Sequence, residues 1–490
     1  VDARNESNHS VALGIESHSI DFVPEQERHG RVTDQGLFWF VSNFQFFTIA
    51  VGFVGPSLGL SLGYTALGGT LGILIGTAFQ AFHASQGPEM GLPQMIQSRA
   101  QFGYRGVIVP LLATLLSVIG YNVVATILAA DGVYALWGVG RAATAVTVSL
   151  AGCALAIWGY DWLHRVFKLL FWISLPLFLI LTLEIAARQG GGPAHATGGF
   201  SWAAFGTQLA SAASFNIGSA PFVSDYSRYL RKSTSRPLII LNVFAGSAAS
   251  AIWLIVLGAW LASRLGTGDA VLALRVAGNQ VRSGFGSLLA MTSVATLVAT
   301  IGMNAYSGML TLVTAMDCLR PVHPTRAVRI GVLLALTLFW GVCTARLDGN
   351  SIGYVNGLLV LMLYCLMPWT AVNLVDYFWL RRGSYSIPDL FRADGLYGNW
   401  GERGLTAYAV GFVASVPFFV IPNVYTGVLA ARLGGVDIGW LVGGCVAAVA
   451  YLLTSAQFSA ADELATLQAR STAMRCDSSP APQVLARELP

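Results

Sequence analysis

Apolar stretches of about 20 residues recur along most of the chain, separated by short polar loops that carry arginines. A helix needs about 20 mainly apolar residues to cross a bilayer. About twelve segments meet that requirement: Leu37–Leu60, Tyr64–His83, Val107–Trp137, Ala142–Tyr160, Leu163–Ala187, Trp202–Asp225, Pro237–Leu261, Leu288–Met316, Ala327–Ala345, Ile352–Trp379, Gly404–Tyr425 and Leu433–Leu453. The spans are interrupted by Gly, Ala, Ser and Thr, which let helix backbones approach closely in lipid. The pattern predicts an all-α polytopic membrane protein, a bundle rather than a set of separate anchors. Residues 1–35 form a polar N-terminal segment, 36–455 the transmembrane domain and 456–490 a tail. Val1–Thr33 has no apolar core and is not read as a cleaved signal. The polar, Pro- and Ser-containing stretch Ala460–Pro490 reads as disordered.

Composition supports this reading. Only 11% of the 490 residues are charged and 55% are hydrophobic, against about 25% and 45–50% in soluble domains. The net charge of +4 gives no basis for a nucleic-acid partner. The six cysteines form no CxxC and no Cys/His cluster, so neither a metal centre nor a disulfide framework is expected. Of the 28 Lys and Arg residues, 21 fall on one side if both termini are cytoplasmic. The positive-inside bias therefore orients the chain with both ends in the cytoplasm of a plasma or inner membrane.

Polar residues at membrane depth are costly and mark cavities or helix contacts. The first span contains Val41-Ser42-Asn43-Phe44-Gln45, followed by Gly52, Gly55 and Pro56. This reads as an unwound stretch with free carbonyls, or as a helix whose polar groups meet a neighbour. The sixth span contains Ser214-Phe215-Asn216-Ile217-Gly218-Ser219-Ala220-Pro221. Pro221 frees the carbonyl of Ile217, which gives either a break or a simple kink. In the eighth span Thr296, Thr300 and Asn304 share one face. Their oxygens suit a small cation or a polar ring, or plain interhelical bonds. In the third span Gly120-Tyr121-Asn122 can present a flat aromatic face. The two candidate breaks lie five spans apart, the spacing of a five-plus-five inverted repeat. Asp161, Asp225 and Asp376 fall near span ends beside Arg165, Arg228 and Arg381 and read as ion pairs or caps. No His, Cys or paired-carboxylate cluster sits at membrane depth, so an enzyme is not expected. No repeated filter or charged ring suggests a channel.

Several motifs resemble the purine–cytosine permease branch of the nucleobase–cation symporters. They are Gln86-Gly87-Pro88-Glu89-Met90-Gly91-Leu92-Pro93-Gln94-Met95 with Ser98-Arg99 and Phe102-Gly103; Asp225-Tyr226-Ser227-Arg228-Tyr229; Pro368-Trp369-Thr370-Ala371-Val372-Asn373-Leu374-Val375-Asp376-Tyr377; and Ile20-Asp21-Phe22-Val23-Pro24. The resemblance implies a leucine-transporter-type fold of two inverted five-helix repeats plus two helices. It implies cation-coupled uptake of a cytosine- or purine-type base, with allantoin, hydantoin or a vitamin-like ring as the alternative cargo. No cofactor is implied beyond the coupling ion, Na⁺ or H⁺.

Carried over by motif, the solute would meet Gln45, Tyr121, Phe215, Asn216, Gly218, Ser219 and Asn304. A cation such as Na⁺ would meet the Val41 and Phe44 carbonyls and the Thr296 and Thr300 hydroxyls. The sequence departs from the family at Ala125, where an amide is common, and at Ala299, where a hydroxyl is common. The first departure weighs against cytosine itself; the second weighs against a complete Na⁺ site and leaves H⁺ open. The residues alone leave an amino-acid cargo open, and the motifs argue against it.

Overall fold

The computed structural model describes residues 16, 18–187, 198–265, 269–322, 324–347, 351–421, 424–459, 463 and 465. Most of the N-terminal segment before residue 18 and most of the tail after residue 459 lie outside the described residues.

The first span is broken. It runs as α1 (Val32–Ser42), an irregular stretch at residues 43–45, and α2 (Phe46–Val51). Its axis turns by 60° across the break. The cause is local: Gln45 is fully extended (φ −152°, ψ 168°), and the Asn43 carbonyl accepts the Gln45 amide and the Thr48 hydroxyl instead of a helical partner. Next come α3 (Leu62–Ala84), α4 (Ile108–Trp137), α5 (Arg141–Trp158) and α6 (Tyr160–Ala187).

The sixth span is broken as well. α7 (Trp202–Ile217) stops at Gly218-Ser219, one 3₁₀ turn follows at Ala220–Phe222, and α8 (Val223–Ser227) completes it. The rest of the bundle is α9 (Arg236–Leu265), α10 (Ala270–Val281), α11 (Phe285–Leu319), α12 (Arg326–Arg346), α13 (Ser351–Val375), α14 (Glu402–Ser415) and α15 (Gly439–Thr454). Among the described residues eight helices are long and apolar enough to cross a bilayer, or nine with the bent first span counted as one.

The helix of the first span starts at Val32. Two expectations need correction. The eleventh span is helical only to Ser415; Pro417 lacks the N–H to continue it, and the chain passes through a 3₁₀ turn into the hairpin β1 (Val420–Ile421) and β2 (Tyr425–Thr426). The twelfth starts at Gly439, because Gly434 and Gly435 at φ 70° and 82° end the turn before it. Unanticipated from the pattern are α10, whose N-terminus is capped by Asp269 through the Val271 and Leu272 amides at 2.8 and 3.1 Å, and the buried helical turns Gln86–Met90, Gln94–Gln97 and Arg99–Phe102.

The bundle closes through backbone contacts that only glycine permits. A Cβ on Gly76 would lie 2.1 Å from the Ala213 carbonyl oxygen, and one on Gly72 2.3 Å from that of Leu209, so α3 and α7 touch along their main chains. Gly52 and Gly258 do the same for the end of α2 against α9.

Candidate solute and cation site

The two breaks face one cavity. It is lined by Trp39, Ser42, Asn43, Gln45 and Phe47 of the first span, Tyr121 and Ala125 of α4, Phe215, Asn216, Ser219 and Phe222 of the sixth span, and Thr300, Met303 and Asn304 of α11. The cavity is tight, with a volume of about 30 Å³. Among the described residues no charged side chain lines it.

One wall is aromatic. Phe47 meets Tyr121 edge-to-face at 5.3 Å and Phe215 at 5.5 Å, and Tyr121 and Phe215 lie 6.3 Å apart at 85°. The Tyr121 hydroxyl donates to the Phe215 carbonyl at 2.7 Å, so the α4 ring is fixed by the broken end of α7. Phe215 is therefore the aromatic member of the Phe215–Asn216 pair. The Asn216 amide instead donates to Thr77 on α3 at 2.6 Å. Gly218 does not line the cavity; it makes room behind Tyr121, whose Oη would stand 2.3 Å from a Cβ there.

Amides supply the polarity. Gln45 donates through Nε2 to the Ser42 carbonyl at 2.7 Å. Asn304 donates to Asn122 Oδ1 at 3.1 Å, and Asn122 donates to the Ile301 carbonyl at 3.3 Å, so a two-residue relay holds Asn304 in place. Asn43 is clamped to Ser247 of α9 at 2.9 and 3.1 Å, which anchors the break itself.

The postulated cation ligands divide. Thr296 Oγ1 lies 2.7 Å from the Phe44 carbonyl oxygen, so first and eighth spans do meet there. The Val41 carbonyl accepts the Phe44 amide at 2.8 Å. Thr300 bonds back to the Thr296 carbonyl at 2.9 Å and lines the solute cavity. Ser293, one turn before Thr296, has a buried hydroxyl with no partner among the described residues. Its position on the same helical face was the available signal. Trp39, Phe47, Phe222 and Met303 gave none: in a chain this apolar, a cavity-facing aromatic looks like a lipid-facing one.

The chain matches, over residues 22–443, the family described as permeases for cytosine/purines, uracil, thiamine and allantoin. It belongs to that family. The permease is 31% identical over 442 residues to the Bacillus subtilis purine-cytosine permease-type protein YxlA, covering 90% of this chain and 95% of that one. It is 24% identical over 486 residues to the purine-cytosine permease FCY2 of Saccharomyces cerevisiae, covering 90% and 86%. Its fold is that of Mhp1, a nucleobase-cation-symport-1 transporter in a closed conformation with bromovinylhydantoin bound, at TM-score 0.70 and 18% identity over 91% of this chain and 97% of that one. The inward-facing form of Mhp1 gives 0.64. The permease is thus a membrane transporter of leucine-transporter type, not an enzyme.

On the face rich in arginine the Glu16 side chain bridges several spans. The Glu16 carboxylate accepts from Tyr306 at 2.7 Å, from Tyr229, from the Tyr160 amide at 3.3 Å and from Arg228 at 3.4 Å, and pairs with Arg329 at 3.5 Å. One carboxylate thereby joins the fifth, sixth, eighth and ninth spans. Asp376 pairs with Arg381 as expected, whereas Asp161 pairs with His29 at 2.9 Å and Asp225 accepts the Gln94 amide at 3.1 Å.

That His29–Asp161 contact carries a pH prediction. The hydrogen bond to Asp161 holds the imidazole pKa up, from 6.5 to about 9. A group raised on folding contributes its stabilisation in full below its unfolded value and loses it as pH rises through the folded one. The tether should hold below about pH 6.5 and release as pH rises through about 9. Limited proteolysis of residues 18–31 should accelerate across that interval in the wild type. In His29→Gln it should already be fast at pH 7, and equal pH profiles for the two would refute the tether.

Proposed function

We propose that the permease takes up a neutral planar heterocycle of the nucleobase type, driven by Na⁺ or H⁺ through alternating access. The observation that carries this is the uncharged, aromatic-walled cavity at the meeting of two broken spans, with the amides of Gln45 and Asn304 in it. A charged cargo would be desolvated there without a counter-charge. A ring gains stacking from Tyr121 and Phe215 and hydrogen bonds from the amides, and a site built for hydrogen bonds rejects analogues that leave its groups unpaired. Allantoin, hydantoin and vitamin-like rings are the alternative cargoes within the same chemistry.

The coupling cation is assigned to the Phe44 and Val41 carbonyls with Thr296, and Thr300 to the boundary between cation and cargo. A cation there would tie first and eighth spans together and favour the outward-open state. Both termini face the cytoplasm of the cell membrane, a reading supported by the basic residues gathered on the face where Glu16 bridges several spans.

Proteoliposome uptake with imposed Na⁺ or H⁺ gradients and a panel of bases, hydantoins and ureides is the test. Accumulation of at least one ring under at least one gradient is expected; none under either would defeat the proposal. Thr296→Val should weaken cation dependence by about tenfold with little change in cargo KM, and Thr300→Val should do the reverse. Equal effects of both substitutions would undo the division of roles.

A further inference from the structure

Of the residues lining the central cavity, two carry a buried polar atom with no partner among the described residues: Trp39, through its indole N–H, and Gln45, through Oε1. Native structures leave few such groups unpaired, and a buried tryptophan N–H ordinarily finds an acceptor. The orientation of Gln45 is dictated by its neighbour. The Ser42 carbonyl is an acceptor, so the amide end beside it at 2.7 Å must be the NH₂, and Oε1 is the end left over.

The two groups also belong to one framework. Ser42 donates its hydroxyl to the Trp39 carbonyl at 2.8 Å, and Gln45 donates to the Ser42 carbonyl. Trp39, Ser42 and Gln45 recur every three residues along one face of α1 and into the break. Trp39 is itself held by edge-to-face contacts with Phe38 at 5.4 Å and Tyr226 at 5.9 Å. Both residues line the same cavity, so its wall holds one unpartnered donor and one unpartnered acceptor on a rigid support.

We infer that Trp39 is a specificity-determining residue, and that Trp39 and Gln45 together read a ring edge on which an N–H lies next to an acceptor. The ring N–H donates to Gln45 Oε1, and the adjacent acceptor takes the Trp39 N–H. A lactam (–NH–C(=O)–) and a ring amidine (–NH–C=N–) both present this edge. This rests on the heterocycle reading above and deepens it. It removes from the cargo class any ring whose nitrogens are all alkylated.

The test is competition for uptake, together with ligand-induced thermal shift of the full chain, using uracil, hypoxanthine, adenine and 1,3-dimethyluracil as probes. In the wild type, 1,3-dimethyluracil, which has no N–H, should bind at least about tenfold more weakly than uracil, the loss expected when a buried acceptor goes unpaired. Hypoxanthine presents both edges and adenine only the amidine, so hypoxanthine bound better would assign the acceptor as a carbonyl and comparable binding as a ring nitrogen; either supports the paired edge. Trp39→Phe keeps the ring and removes the donor. It should raise KM at least about tenfold with kcat little changed, and Trp39→His, which restores an N–H, should recover part of the loss. Indifference of KM to Trp39→Phe, or equal binding of uracil and its dimethyl form, overturns the inference while leaving the heterocycle reading intact. Failure of every probe to bind overturns the inference, and the heterocycle reading falls with it only if the hydantoins and ureides of the uptake panel fail as well. The analogue comparison needs no variant, so the inference remains falsifiable if Trp39→Phe does not fold.

Discussion

Gly76→Val should yield a permease that does not survive detergent extraction as a monodisperse species, or that melts far below the wild type. The cause is steric. A Cβ at position 76 would stand 2.1 Å from the carbonyl oxygen of Ala213 and 2.9 Å from its carbonyl carbon, and main-chain atoms cannot rotate away as a side-chain tip can. α3 and α7 would have to separate, and the Gly72 contact one turn earlier would go with them. Overpacking of this kind costs about 1–3 kcal/mol, occasionally more; a clash with backbone belongs at the upper end. The functional effect should exceed the stability effect. Thr77 is the next residue and holds the Asn216 amide, so a displaced α3 loosens the cavity wall directly. Gly357→Val is the control: a Cβ there meets nothing within 4 Å. Equal melting temperatures for Gly76→Val and the wild type would remove the close α3–α7 contact from the account.

Glu16→Gln should abolish most concentrative uptake while leaving the protein folded. The Glu16 carboxylate is the anionic partner shared by Arg228 and Arg329, whose side chains are 0% and 5% exposed. Removing one partner of a buried ion pair costs about 3–5 kcal/mol, because the charge left behind is uncompensated. Here that cost falls on the closed state, in which the fifth, sixth, eighth and ninth spans converge on this one side chain. The equilibrium between closed and open forms of the arginine-rich face should shift toward open. Steady-state accumulation should fall by about tenfold or more, with exchange of internal for external cargo retained. A cysteine placed at Met303, which lines the cavity, should become faster to alkylate from that face. Wild-type accumulation and alkylation rates in Glu16→Gln would show that Glu16 decorates the face rather than closing it.

Both breaks could be placed in advance as one of two readings because their causes are local, and the structure removes the continuous-helix and simple-kink alternatives. Asn43 and Gln45 compete for main-chain partners within a few residues, and Gly218-Ser219-Ala220-Pro221 weakens any helix it enters. Gln45, Tyr121, Phe215, Asn216, Ser219 and Asn304 were singled out as polar or aromatic residues at membrane depth or by motif, and the fold brings all of them to the cavity. Gly218 packs behind Tyr121, a placement that spacing along a broken helix does not disclose. Thr300 shares a helical face with Thr296, and periodicity could not separate a residue that meets the Phe44 carbonyl from one that meets the cavity.

The amino-acid sequence by itself determined that this chain lives in a bilayer, which family it belongs to, and where its first and sixth spans are weakest as helices. Those follow from hydropathy, motif and the backbone chemistry of Asn, Gly and Pro, all of which act over a few residues. Only the tertiary structure decided that Trp39 and Phe47 face the cavity rather than lipid, that Glu16 joins four spans, and that Gly72 and Gly76 lie against the main chain of α7. These depend on which faces of distant helices meet. In a protein whose inner and outer surfaces are equally apolar, composition carries no mark of that choice.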